Sequence, residues 1–179
     1  MVNKAHSRVY PAQSELELIT SLQFDEPHSS LAWNRNIHGL VPHGIYQGFD
    51  VSLAGGMNVL IGGQERGTAV AKHDDVSLTI HQQGNKTVTL TDGKKQYIVI
   101  DSFFQYGVKT AQVDTASNQQ AAEYKVLSTL QLQPHHIVIA CVDVPKGAKK
   151  LTESMIVRSE RTIGGWGIVE HVNQLDPHV

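Results

Sequence analysis

A single cysteine, Cys141, stands among 179 residues. It excludes an intrachain disulfide framework and any cysteine-rich zinc or iron–sulfur site. Charge of one sign is also missing: 15 Lys and Arg face 17 Asp and Glu, a formal balance of −2. Proteins that grip nucleic acid need a concentrated basic face, so no nucleic-acid partner is expected. No apolar run approaches the roughly 20 residues that cross a bilayer, and the first residues carry no signal-peptide pattern, so no membrane insertion is expected. Aromatic residues make up 6% of the chain, too few for a long stacking platform. Catalytic and cofactor signatures are missing as well. There is no HExxH, no CxxC and no Gly-x-Ser-x-Gly elbow. Gly55-Gly56 and Gly62-Gly63 lack the Lys-Ser/Thr of a phosphate loop and read as turns between short strands. The acidic residues Asp74, Asp75, Glu153 and Glu160 read as solvated turn and loop groups. We therefore expect no catalytic residues and no cofactor.

What is present favours β structure. Val, Ile and Thr are abundant, and 15 glycines and 6 prolines supply turns. Candidate strands are Ile45–Ser52, Asn58–Ile61, Gly67–Ala71, Val76–His81, Lys86–Leu90, Gln96–Phe103, Val108–Val113, Glu123–Leu130, His136–Val144 and Ile168–Val172. Alternation is clear in Val76-Ser77-Leu78-Thr79-Ile80. The continuous apolar runs Tyr97–Ile100 and Ile137–Val142 fit central strands covered on both faces. No strand–helix–strand repeat occurs. The fold expected is mainly β, an antiparallel sandwich or partly closed barrel with an extended N-terminal arm. One helical turn is expected at Leu151–Ile156. The domain boundaries are an arm over 1–42, a β domain over 43–160 and a tail over 161–179.

The arm carries Ser14, which suits a helix cap with Glu17 at the capping-box position. Leu16, Leu18 and Thr20 also alternate as a strand would, and both readings stand. Residues 15–42 hold many apolar side chains that would be costly to leave in water. Packing across a neighbouring subunit would hide them, which makes Leu22, Phe24, Trp33 and Leu40 candidate interface residues. Trp166, set among Gly164, Gly165 and Gly167, is a fifth.

Ten histidines are unusual. His135 and His136 precede an apolar strand, and neighbours on extended backbone point to opposite faces. A shared metal would need partners such as His73, His81 or Asp143, so no metal site is expected. Cys141, inside an apolar strand, reads as a small buried side chain rather than a nucleophile.

Two motifs carry a family resemblance. One is Gly44-Ile45-Tyr46-Gln47-Gly48-Phe49. The other runs Val142-Asp143-Val144-Pro145-Lys146-Gly147-Ala148, then Leu151-Thr152 and Met155-Ile156. Over roughly residues 38–157 the chain resembles the N-terminal, particle-proximal domains of tailed-bacteriophage tail-fibre and baseplate proteins. The resemblance implies a non-enzymatic attachment or adaptor domain, made in the bacterial cytoplasm and placed in the virion tail or baseplate. It further implies other tail or baseplate proteins as partners and a homo-oligomer, most plausibly a trimer. Fibre proteins run for hundreds of residues more, so a small baseplate component, a connector or a fragment is expected. The rival reading is a carbohydrate-binding or host-receptor-binding β-sandwich module. An exposed row of aromatics would favour the rival, and burial of Tyr46, Phe49, Phe103 and Phe104 the scaffold.

Overall fold

A computed structural model describes residues 33–34, 38–73 and 76–165. Ten strands follow in order: β1 (Gly44–Gln47), β2 (Val51–Leu53), β3 (Asn58–Ile61), β4 (Thr68–His73), β5 (Val76–His81), β6 (Lys86–Thr89), β7 (Lys94–Ser102), β8 (Ala122–Leu127), β9 (Ile137–Val144) and β10 (Ile156–Val157). They form three antiparallel sheets with orders β1-β4-β5, β2-β3-β6 and β10-β9-β7-β8. The arrangement is sandwich-like and does not close into a barrel, which decides between the two architectures expected. No helix among the described residues is long and apolar enough to cross a membrane.

All three sheets feed one core. Ile45 and Ala69, Val59 and Ile61, and Ile98, Ile100, Ile137 and Ile139 belong to the same buried cluster. Strand alternation sends Tyr97, Val99 and Cys141 to a second, smaller cluster on the opposite face of β7 and β9. The central strands are therefore covered on both faces, as their continuous apolar sequence requires.

Two expectations change. Ile45–Ser52 is two strands rather than one, because Gly48 (φ 61°) and Phe49 (φ 54°) turn left-handed between them. Val108–Val113 is no strand. It lies in the long β7–β8 connection, where Gly107 has φ 78° and Val113 N–H bonds back to Thr110 O, so the backbone turns on itself instead of pairing. Of the arm, residues 33–34 and 38–40 are helical. The expected turn before Ile156 is a 3-10 turn at Glu153–Met155. The helix-or-strand segment around Ser14 and the candidate strand Ile168–Val172 lie outside the described residues.

Candidate functional site

The two resemblance motifs have structural jobs. In the first, Gly48 is left-handed, and a β-carbon there would come within 2.6 Å of Gly67 Cα. Phe49 follows in a conformation uncommon for a bulky residue, and its ring is 1% exposed. The ring lies over Gly67 and meets Tyr124 edge-on at 6.4 Å between centroids. Arg161 holds the turn, its guanidinium donating to Gly48 O and to Phe49 O (3.0 Å). Burial pushes the Arg161 pKa down, but its ordinary value is so high that the group stays charged.

The same motif grips the segment after β10. Ile45 N–H donates to Thr162 O (2.9 Å) and Gly164 N–H to Ile45 O (2.9 Å). Thr162 N–H in turn donates to Val138 O (2.9 Å), while Val138 N–H donates to Thr162 Oγ1 (3.0 Å). Residues 161–164 are thus a wedge between β1 and β9. Tyr46 closes it: its ring packs on Gly164, and its hydroxyl donates to Pro42 O (2.6 Å). In the second motif, Gly147 N–H donates to the Asp92 carboxylate (2.7 Å) and Leu151 N–H to Gly56 O (2.9 Å). Leu151 and Ile156 enter the core. Both motifs fix chain crossings, and Phe49 of the first also lines a hollow with Ile80, Ala122 and Tyr124.

The densest polar cluster surrounds Asp101 on β7. Its Oδ2 accepts from Lys125 Nζ on β8 (2.6 Å), and its Oδ1 accepts from His135 Nε2 (3.1 Å). His136 Nε2 lies 3.4 Å from the same Oδ1. His73 from β4 stacks on His135 with centroids 4.7 Å apart and shares a 2.7 Å hydrogen bond with Ser102 Oγ. The expectation that adjacent His135 and His136 must diverge is wrong. They belong to a turn closed by His136 N–H donating to Gln133 O (3.0 Å), not to extended backbone, and both rings reach Asp101. Of the partners named from sequence, His73 joins this cluster. Asp101 and Lys125 were missed, because only the β7–β8 register opposite β9 brings them there.

The protons in this cluster can be placed. Gln133 N–H donates to His136 Nδ1 (3.0 Å), so the neutral ring carries its proton on Nε2, aimed at Asp101. Lys72 N–H likewise donates to His43 Nδ1 (3.2 Å), which leaves His43 Nε2–H to donate to His136 O (3.2 Å). Burial pushes both His43 and His136 below the usual histidine value. Burial also pushes Asp101 up, but the hydrogen bond and charge of Lys125, with His136 and His135, outweigh it and leave the carboxyl below its ordinary value.

Asp101, His135 and His136 present ligand atoms within 4.8 Å of one another. A metal needs the lone pair of a ring nitrogen, and ligating histidines usually donate through the other one. His136 has the reverse arrangement, so the group fits a hydrogen-bonded junction better than a cation. Cys141 is wholly buried in β9, and burial raises its thiol pKa, the opposite of an activated nucleophile. Glu153 pairs with Arg158 (2.9 Å) and Glu160 with Lys95 (2.7 Å), apart from each other. Trp33 is 56% and Leu40 66% exposed. Leu22, Phe24 and Trp166 lie outside the described residues, as do Asp74 and Asp75.

Comparison with known proteins decides what this scaffold serves. The chain is 35% identical over 170 residues to the major tail fiber protein S of Escherichia phage P1, covering 90% of this chain and 69% of that protein. The chain belongs to that tail-fibre family. It is accordingly a structural, non-enzymatic protein of a phage tail, located in the virion and associated with the tail machinery. No family model matches the chain, and no solved structure matches it. The clasp of Gly44–Phe49 on residues 161–164 holds β1 against the segment that follows β10.

Proposed function

We propose that the chain is a homo-oligomeric, trimeric building block of the fibre, and that its β domain acts as a rigid connector between chain segments on either side. One observation carries this reading: β1 and the wedge 161–164 lie side by side, so both ends of the domain leave from one clasp. Load entering through one end passes to the other through main-chain hydrogen bonds. Trp33 and Leu40, exposed on the helical part of the arm, supply the subunit contact together with Trp166. The Asp101 junction binds no metal in this reading and ties β4, β7, β8 and the β9 entrance together. Light scattering coupled to size exclusion on the full chain tests the assembly. Three chain masses are expected, falling in a Trp33→Ser/Leu40→Ser variant; a monomer at every concentration refutes the proposal. Isothermal titration with zinc, expected to be silent at the histidines, tests the junction.

A second reading has one observation in its favour. Phe49 is buried and Tyr46 and Phe103 are half-buried, as a scaffold requires, but Phe104 is exposed and Tyr106 is 89% exposed on the β7–β8 connection. Connections of this length commonly carry binding function. A glycan array with saturable binding, lost in Tyr106→Ala, would move the assignment to a carbohydrate or host-receptor module.

A further inference from the structure

Strand β5 ends its sheet, so every second residue turns its main-chain groups away from β4. Gln82 N–H donates to Gly67 O (2.8 Å) on the β4 side, which sets the phase. By antiparallel alternation the main-chain groups of Ile80 and Leu78 face β4, and those of Ser77, Thr79 and His81 face outward. The first outward position is already paired in strand fashion. Ser77 N–H donates to Asn34 Oδ1 (2.6 Å), and Asn34 Nδ2 donates to Ser77 O (2.6 Å). The Asn34 amide thus copies one residue of a neighbouring strand. Thr79 and His81 are exposed, and no described strand pairs with their outward groups.

Beyond that edge lies a groove of about 840 Å³, with Leu78 and Ile80 on one side and Phe103, Val108 and Ala122 on the other. A smaller hollow shares Ile80 and Ala122 with it and runs on to Tyr124 and Phe49. Another shares Phe103 and Phe104 and runs on to Asp101 and His135. The three make an elongated trench rather than a compact pocket. Charge narrows what suits it. No Lys, Arg, Asp or Glu lines the central groove, although 18% of the chain is charged. A charged segment would lose its water there and find no counter-charge, whereas a neutral one is matched. The main chain narrows it further. Outward N–H and C=O groups recur at every second residue beside an apolar floor, the spacing of a strand and not of a sugar ring.

We propose that this edge and groove receive an extended, uncharged segment of another protein of the tail machinery, added to β5 as a further strand. Its ladder bonds run to Thr79 and His81. Its apolar side chains, at every second position, enter the groove beside Ile80, Phe103 and Val108, and the polar ones between them face solvent. Asn34 sets the limit of the pairing, because its amide already holds both main-chain groups of Ser77. The added strand therefore ends before Ser77 and extends in the direction of Gln83, which also lines the groove. This contact is separate from the subunit contact of the connector reading and does not depend on the oligomeric state.

A synthetic peptide with the neutral alternating pattern, acetyl-Thr-Val-Thr-Ile-Thr-Val-Thr-amide, tests it on the full chain, read by residue-level amide hydrogen exchange. Saturable slowing of the Thr79 and His81 amides by about tenfold or more is expected, while the Leu78 and Ile80 amides, facing β4, keep their rates. The same peptide N-methylated at alternate residues keeps its side chains but loses ladder donors, and is expected to be silent. Thr79→Pro withdraws only an outward N–H, which an edge strand tolerates, and Val108→Asp puts a charge in the groove from an exposed loop position. Each is expected to weaken the peptide about tenfold or more at an unchanged melting temperature. No saturable effect at millimolar peptide overturns the proposal, as does binding that Val108→Asp leaves intact. Slow exchange at Thr79 and His81 without peptide overturns it too, assigning the edge to the chain itself, or to a second copy where dilution restores fast exchange. Saturable binding on a glycan array that Val108→Asp abolishes, with the peptide silent, would assign the groove to carbohydrate instead.

Discussion

Phe49 shows how one residue can hold a tail-fibre domain together. Its left-handed backbone is tolerated because Gly48 precedes it, Gly67 makes room for its ring, and Arg161 satisfies both carbonyls of the turn. Phe49→Ala removes a wholly buried ring and is expected to cost about 3–5 kcal/mol in denaturant unfolding. Gly67→Ala drives a methyl into that ring and should destabilise as well, without loss of apolar area, so the two losses should not add. His43 supplies a second residue-scale prediction. Its folded pKa and that of His136 are depressed, so the unfolded chain binds more protons as pH falls through the ordinary histidine value of 6.5. Stability is fully present above that value and is lost as pH drops toward the folded pKa values. Melting temperatures across pH 7.5 to 5 should therefore fall, and His43→Ala should shallow the slope while losing about 1–3 kcal/mol at neutral pH. An unchanged slope in that variant would remove His43 from the account. Asp101, also depressed, adds a further loss only below its unfolded value of 3.8.

At the scale of elements, the weak points are the crossings between sheets. The wedge 161–164 has no strand ladder of its own, only an isolated parallel bridge from Ile163 to Ile45 and bonds to Ile45 and Val138. Arg161→Met keeps much of the side-chain packing but withdraws two charge-assisted bonds to the Gly48–Phe49 turn. A loss of about 2–4 kcal/mol is expected, with limited proteolysis cutting first beyond residue 160. Cleavage elsewhere first would mean that the wedge is held by something other than the arginine. On the opposite flank, Asn34→Ala should release the arm from Ser77 at a cost of about 1–2 kcal/mol, read by faster exchange of the Ser77 amide.

At the scale of the whole molecule, three small sheets share one core, and each alone would be marginal. Unfolding should therefore be cooperative: fluorescence and far-ultraviolet circular dichroism are expected to give coincident transitions. Separate transitions would mean that the β2-β3-β6 sheet opens independently.

The sequence by itself determined the β class, most strand positions, the central pair β7 and β9, and the tail-fibre resemblance. These follow from local properties: side-chain period, turn residues and the length of apolar runs. Gly48-Phe49 broke one expected strand, and Gly107 with the Thr110 turn erased another, because pairing depends on a partner strand that local pattern does not contain. The Asp101 junction was hidden for the same reason. His73, Asp101, Lys125 and His136 are far apart in sequence and meet only through sheet register and a turn at Gln133. The structure also fixed the imidazole protons: Lys72, whose N–H donates to His43 Nδ1, comes from a distant strand, and Gln133 N–H reaches His136 Nδ1 only because their turn closes on itself.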